Sequence, residues 1–137
     1  KYHKTFENKL RDRFEKELLK KFIKTNKPIL GICRGFQQII NFYGEKLEKK
    51  VGHVNKTHIL KLNKNRFLSL NNLSVNSYHN YVITKLPKSF NLVSKYKDQS
   101  IEIAEHKKKK ILCIMFHPER KMKSQQTVIK QLKKFFK

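Results

Sequence analysis

The chain has 137 residues, enough to bury one hydrophobic core but too few for several domains, and none of its apolar runs is long enough for a membrane-spanning helix. Its formal net charge is +23, from 33 Lys and Arg against 10 Asp and Glu. Only 5 of the 33 are Arg, 11 residues are Asn, and the basic residues are spread along the chain. The A-rich codons of a low-GC bacterium produce that pattern, so nucleic acid is not the expected partner, while an anionic small molecule stays compatible.

The first element is an amphipathic helix over residues 5–25, in which Phe6, Leu10, Phe14, Leu18 and Phe22 recur every four residues and Leu19 and Ile23 widen the stripe. Pro28 ends it by disfavouring helical angles at Lys27. Ile29 to Cys33 is too short for a helix and reads as a buried strand. Gly35 to Tyr43 follows as a helix with Phe36, Ile39, Ile40 and Tyr43 inward and Gly44 as its C-terminal stop. Short β segments come next, at 57–62, 73–75, 81–84, 92–96 and 101–105, the last alternating most cleanly. Lys107 to Lys110 forms a solvated turn, and Ile111 to Phe116 returns as a continuous apolar strand that holds Cys113 as an inert core thiol. Ser124 to Phe136 closes the chain as a helix with Ser124 as its N-cap and Val128, Ile129, Leu132, Phe135 and Phe136 inward. The order predicts one α/β three-layer domain over residues 1–137 with a small β insertion.

Two segments carry chemistry. The strand Ile29 to Ile32 runs into Gly31-Ile32-Cys33-Arg34-Gly35, the layout of a nucleophile elbow, in which small flanking residues permit a tight strand-to-helix turn. Backbone N–H groups and the positive end of the helix dipole at such a turn favour thiolate over thiol. The second segment, Phe116-His117-Pro118-Glu119, leaves the last buried strand at its carboxyl end, where open α/β sheets present ligands. A cysteine nucleophile needs a base that returns its proton to a leaving amine, and the base needs an acceptor to fix its tautomer. His117 and Glu119 supply both. His53 and His58 read as polar loop packing; His79 reads equally as packing or as a site residue. These histidines lack metal-ligand spacing and no carboxylate cluster accompanies them, so no metal is expected. Two cysteines make no disulfide framework, and with no signal-peptide pattern at the start they suit a reducing cytoplasm.

Gly31-Ile32-Cys33-Arg34-Gly35-Phe36-Gln37 followed by His117-Pro118-Glu119 resembles the class I glutamine amidotransferase superfamily, and within it the stand-alone γ-glutamyl hydrolase branch. Arg11-Asp12-Arg13-Phe14-Glu15, Gly52-His53-Val54-Asn55-Lys56-Thr57-His58 and Val75-Asn76-Ser77-Tyr78-His79 are similar to further family segments. The resemblance implies a flavodoxin-like αβα fold and a Cys33, His117, Glu119 triad that cleaves a γ-glutamyl amide through a thioester and needs no cofactor. It makes the N–H of Arg34 an oxyanion donor and Gln37, Ser77, Tyr78 and His79 the holders of the glutamyl group. The family pattern also has upstream strands with a Gly-rich loop that gives a second oxyanion donor. None of Gly31, Gly35, Gly44 and Gly52 is available for that role, and the chain opens on Lys1 rather than Met, so a partial domain is expected. Three functions stay open: a free-standing hydrolase, the glutaminase subunit of a two-chain synthase with a synthase partner, and an inactive basic binding module. A homodimer is also left open.

Overall fold

The computed structural model describes residues 6–137, with side chains from Lys9 onward. The expected start of the first helix at residue 5, and the inward place of Phe6, lie outside what is described. The helices are α1 (Phe6–Ile23), α2 (Arg34–Phe42) and α3 (Gln125–Phe135). The strands are β1 (Ile29–Ile32), β2 (Glu48–Lys49), β3 (Val54–Lys61), β4 (Asn72–Tyr78), β5 (Tyr81–Val82), β6 (Phe90–Lys95), β7 (Ile101–His106) and β8 (Ile111–Ile114).

The central sheet has the order β1-β8-β7-β6. β1 lies parallel to β8, with Gly31 opposite Cys113 and Ile32 opposite Ile114. β8 and β7 are antiparallel across the lysine turn, and β7 pairs antiparallel with β6. The expected β insertion is smaller than the run of β segments, since β6 and β7 belong to the central sheet. What stands outside it is the ribbon β3–β4, paired from Val54–Tyr78 to Lys61–Asn72, and the short ribbon β2–β5.

The alternation of β8 divides the core. Leu112, Ile114 and Phe116 face one layer with Leu60, Leu73 and Val75 of the β3–β4 ribbon and Val128, Leu132 and Phe135 of α3. Ile111, Cys113 and Met115 face the other with Phe36, Ile39 and Ile40 of α2. Period-2 strands packed on period-3.6 helices therefore give three layers, helix and ribbon on one face and helices on the other.

Two local expectations change. The four-residue stripe of α1 is not its buried face: Phe14 is 67% exposed and Leu10 52%, and it is Leu19 and Ile23 that pack against the core. A strict i, i+4 row drifts around a helix of 3.6 residues per turn, so it is a poor guide to the packed face. Ser124 stands at the N-cap position of α3 without capping it; its Oγ accepts from the Ser74 N–H at 2.9 Å, tying the helix to β4. The most cleanly alternating strand, β7, has no exposed face. All six of its residues are buried, Glu102 and Glu105 included.

Candidate active site at the β1–α2 elbow

β1 and β8 run side by side in the same direction, so their carboxyl ends deliver Cys33 and His117 to one edge of the sheet. Cys33 adopts φ 46° and ψ −103° as the residue before α2. A side chain seldom tolerates positive φ, and such strain at a strand-to-helix turn aims the side chain away from the sheet. Gly31 makes the turn fit: a Cβ there meets Ile39 Cδ1 at 2.7 Å and the Phe36 backbone nitrogen at 3.0 Å. The expected constraint on Gly35 is not found, because a Cβ there meets nothing within 4 Å.

Cys33, His117 and Glu119 line one cleft of about 430 Å³ together with Arg11, Glu15, Ile32, Arg34 and Gly35. His117 Nδ1 lies 2.6 Å from Glu119 Oε1. That contact puts the proton on Nδ1 and leaves Nε2 as the basic nitrogen. Burial alone would raise the Glu119 carboxyl, but the bond to His117 holds it below its ordinary value. The expected thiolate at Cys33 is not what its surroundings give. Burial pushes the thiol up, against the opposing pull of the Arg34 backbone N–H on the sulfur and of the Arg120 charge.

Two supports of this arrangement are invisible as local sequence signals. Asn76 of β4 holds the main chain of His117 from both sides: the His117 N–H donates to Asn76 Oδ1 at 2.9 Å and Asn76 Nδ2 donates to the His117 carbonyl at 2.8 Å. Arg34 carries its guanidinium back to α1, 2.6 Å from Asp12 and 3.1 Å from Glu15. Gln38 Nε2 donates to the same Asp12 carboxylate at 2.8 Å, so α1 is docked on the first turn of the elbow helix.

The family model for the class-I glutamine amidotransferases matches residues 8–136. The chain belongs to that family. The amidotransferase domain is 34% identical over 113 residues to the gamma-glutamyl-CDP-amidate hydrolase of Campylobacter jejuni, covering 82% of this chain and 53% of that protein. It is 33% identical over 95 residues to anthranilate synthase component 2 of Helicobacter pylori, covering 67% of this chain and 48% of that one. The chain thus spans about half the length of the curated relatives it matches. A glutamine amidotransferase structure from Thermotoga maritima superposes with a TM-score of 0.72 at 21% identity, over 89% of this chain and 54% of that one. The flavodoxin-like fold of the family is the fold of this chain.

The expected substrate contacts of the domain divide by exposure. Tyr78 is half-buried, with the Arg120 guanidinium 4.5 Å above its ring and the His117 ring 6.2 Å away. Gln37 is buried and its Nε2 donates to the Tyr81 carbonyl at 3.1 Å. Ser77 is buried with its hydroxyl on the His53 carbonyl.

His79 is also buried, and not alone. His53, His58, His79 and Glu102 form one cluster in which a nitrogen or oxygen of each lies within 4.8 Å of the others. The expectations of loop packing and of no accompanying carboxylate give way here. His58 sits in β3, fully enclosed, stacked 3.7 Å from the Tyr96 ring, with its Nδ1 3.1 Å from Glu102 Oε1. Glu102 comes from β7, 44 residues on, a separation at which no spacing rule operates.

Proposed function

We propose that the chain hydrolyses a γ-glutamyl amide bond with Cys33 as nucleophile. The observation that carries the reading is the elbow cysteine, at φ 46°, sharing one cleft with a histidine whose Nδ1 is fixed by a carboxylate at 2.6 Å. His117 Nε2 takes the Cys33 proton as the sulfur attacks the γ-carbonyl. The Arg34 N–H donates to the oxyanion. His117 then gives the proton to the leaving nitrogen, the C–N bond breaks, and a γ-glutamyl thioester remains. Water, deprotonated by the same nitrogen, attacks the thioester; glutamate leaves and the thiol re-forms. Burial raises the thiol, so the base has a thiol rather than a ready thiolate to work on. Tyr78, beside His117, is the substrate contact, while Gln37, Ser77 and His79 shape the wall behind the γ-glutamyl group.

The test is glutamate release from a panel of L-glutamine, simple γ-glutamyl amides and γ-glutamyl-CDP-amidate. The last is included because of the name of the Campylobacter relative and because a chain of +23 attracts a nucleotide anion. Cys33→Ala is expected to abolish release; turnover that survives it refutes the mechanism. A second reading, the glutaminase subunit of a two-chain synthase, is favoured by the similarity to anthranilate synthase component 2. It requires activity on glutamine that rises when the synthase subunit is added. Steady release from a conjugate, unchanged by any such subunit, excludes it.

A further inference from the structure

The cluster His53, His58, His79 and Glu102 supplies neither nucleophile nor proton to the acyl-transfer steps, although the Glu102 charge is near enough to act on Cys33. All four residues are nine-tenths buried or more. Each carries one buried polar atom outside any hydrogen bond among the described residues, His53 Nδ1, His58 Nε2, His79 Nε2 and Glu102 Oε2, and the one ion-pair contact among these atoms is His79 Nε2 to Glu102 Oε1 at 3.5 Å. Buried polar atoms are almost always satisfied, so four unsatisfied ones in one place call for a ligand.

The partners on the opposite atoms say what kind of ligand. His53 Nε2 is 2.8 Å from the Asp98 carboxylate and His79 Nδ1 is 3.1 Å from the Tyr81 carbonyl. Each of these nitrogens faces an acceptor and therefore carries the ring proton, which leaves a lone pair on the orphaned nitrogen. His58 Nδ1 faces Glu102 Oε1 at 3.1 Å, and by the same tautomer logic its Nε2 is an acceptor. The remaining oxygen of Glu102 is an acceptor as well. Four acceptors and no donor are a poor site for water, which has two protons to give. They suit a cation. A carboxylate or backbone carbonyl gripping the far nitrogen of a histidine is also how metal-bound imidazoles are held in orientation.

We infer that His53, His58, His79 and Glu102 bind one divalent transition-metal ion, of which Zn²⁺ is the best match. Three imidazoles and one carboxylate disfavour Mg²⁺ and Ca²⁺, which take oxygen ligands. Four protein donors close a tetrahedral shell, so the site is structural, without an open position for substrate. Tetrahedral bonds of about 2.0–2.1 Å separate the donor atoms by about 3.4 Å, and the present spread of up to 4.8 Å closes by side-chain adjustment. The ion joins the β3–β4 ribbon to the central sheet, two sheets that share no strand. His53 precedes β3, His58 lies in it, His79 stands between β4 and β5, and Glu102 belongs to β7. It therefore locks the β3–β4 ribbon, and with it Asn76 and Tyr78, onto the central sheet. The Tyr81 carbonyl that holds His79 also accepts from Gln37 of the elbow helix, a direct link to the active-site side.

The experiment uses the whole protein in a Cys33→Ser background, which removes the active-site thiol as a competing ligand. Purified without chelators, it is expected to carry about one equivalent of zinc by elemental analysis. After exchange with Co²⁺ it is expected to show visible d–d absorption and no sulfur-to-cobalt charge-transfer band. Glu102→Gln keeps the shape and is expected to lose the metal and the upward shift in thermal midpoint that the metal brings. Should that variant fail to fold, Asp98→Asn, which acts on the outer side of His53, is expected to weaken Co²⁺ binding about 10- to 100-fold. The inference is overturned if the folded Cys33→Ser protein neither carries metal nor binds Co²⁺. It is equally overturned if Co²⁺ binding and thermal midpoint are the same in the parent and in the folded cluster variants.

Discussion

Cys33 sits in backbone strain of about 1–3 kcal/mol, and the structure holds it there by letting α2 approach β1 closely over Gly31. The two glycines of the motif consequently have different roles, and their alanine variants separate them. Gly31→Ala drives a methyl into Ile39 Cδ1 and the Phe36 backbone, and is expected to cost about 1–3 kcal/mol in urea unfolding and to misplace the sulfur. Gly35→Ala enters open space on the first turn of α2 and is expected to unfold within about 1 kcal/mol of the parent, on the stabilising side, since alanine favours helix. The two cysteines separate in the same way. Burial raises both thiols, but Cys33 opens onto a cleft and Cys113 is fully enclosed in β8. A raised pKa means less thiolate at neutral pH. Iodoacetamide labelling of the folded protein is thus expected to be slow at pH 7, to accelerate with a midpoint above the ordinary value near 9, and to fall on Cys33 alone. A midpoint below that value shows instead that the elbow stabilises thiolate.

At the scale of elements, the site is an agreement between the segment that leaves β8 for His117 and β4, which supplies Asn76. The two hydrogen bonds between them fix the main chain of His117, while Glu119 fixes its ring. Asn76→Ala is expected to lower kcat about 10- to 100-fold with little change in KM, because a displaced base harms proton transfer more than substrate binding. Asn76→Asp keeps the acceptor for the His117 N–H and is expected to recover part of the loss. A drop in KM-type binding alone, with kcat kept, assigns Asn76 to the substrate instead. The residue belongs to the Val75–His79 segment singled out by resemblance, yet nothing local marks it as the anchor of His117, because its partner is 41 residues away. The same applies to Asp12 and Glu15, whose role on Arg34 follows only once α1 lies across α2. By contrast, Ile29–Ile32, Arg34–Phe42 and Ile111–Ile114 were legible from short apolar runs and turn residues, since each is set by its own pattern and by Gly44 at φ 97°.

For the whole molecule, the notable surface is the one next to β1. Among the described residues β1 pairs only with β8, and it stands at the edge of the sheet. Beside it, Leu18, Leu19, Phe22, Pro28, Ile29, Leu30 and Phe136 line an apolar groove of about 390 Å³, continuous with the exposed row Leu10, Phe14 and Leu18 on α1. An open strand edge beside apolar side chains promotes pairing between chains. The 137-residue chain is expected to self-associate with rising concentration in sedimentation velocity, and Phe14→Lys with Leu18→Lys to reduce it. A monomer at every concentration removes that expectation.

The amino-acid sequence by itself determined the elbow, the order of strands and helices around it, and the two motifs that meet in one cleft, one with Cys33 and the other with His117 and Glu119. Those features are local: a tight turn needs small residues beside it, a buried strand needs an unbroken apolar run, and a tautomer-fixing carboxylate can sit two residues away. Tertiary structure decided which face of α1 is buried, that Glu102 and Glu105 lie inside, that Asn76 holds His117, and that three histidines and Glu102 close on one point. Each of these joins residues tens of positions apart. Their meeting is set by how the β3–β4 ribbon packs on the central sheet, which no periodicity along the chain encodes.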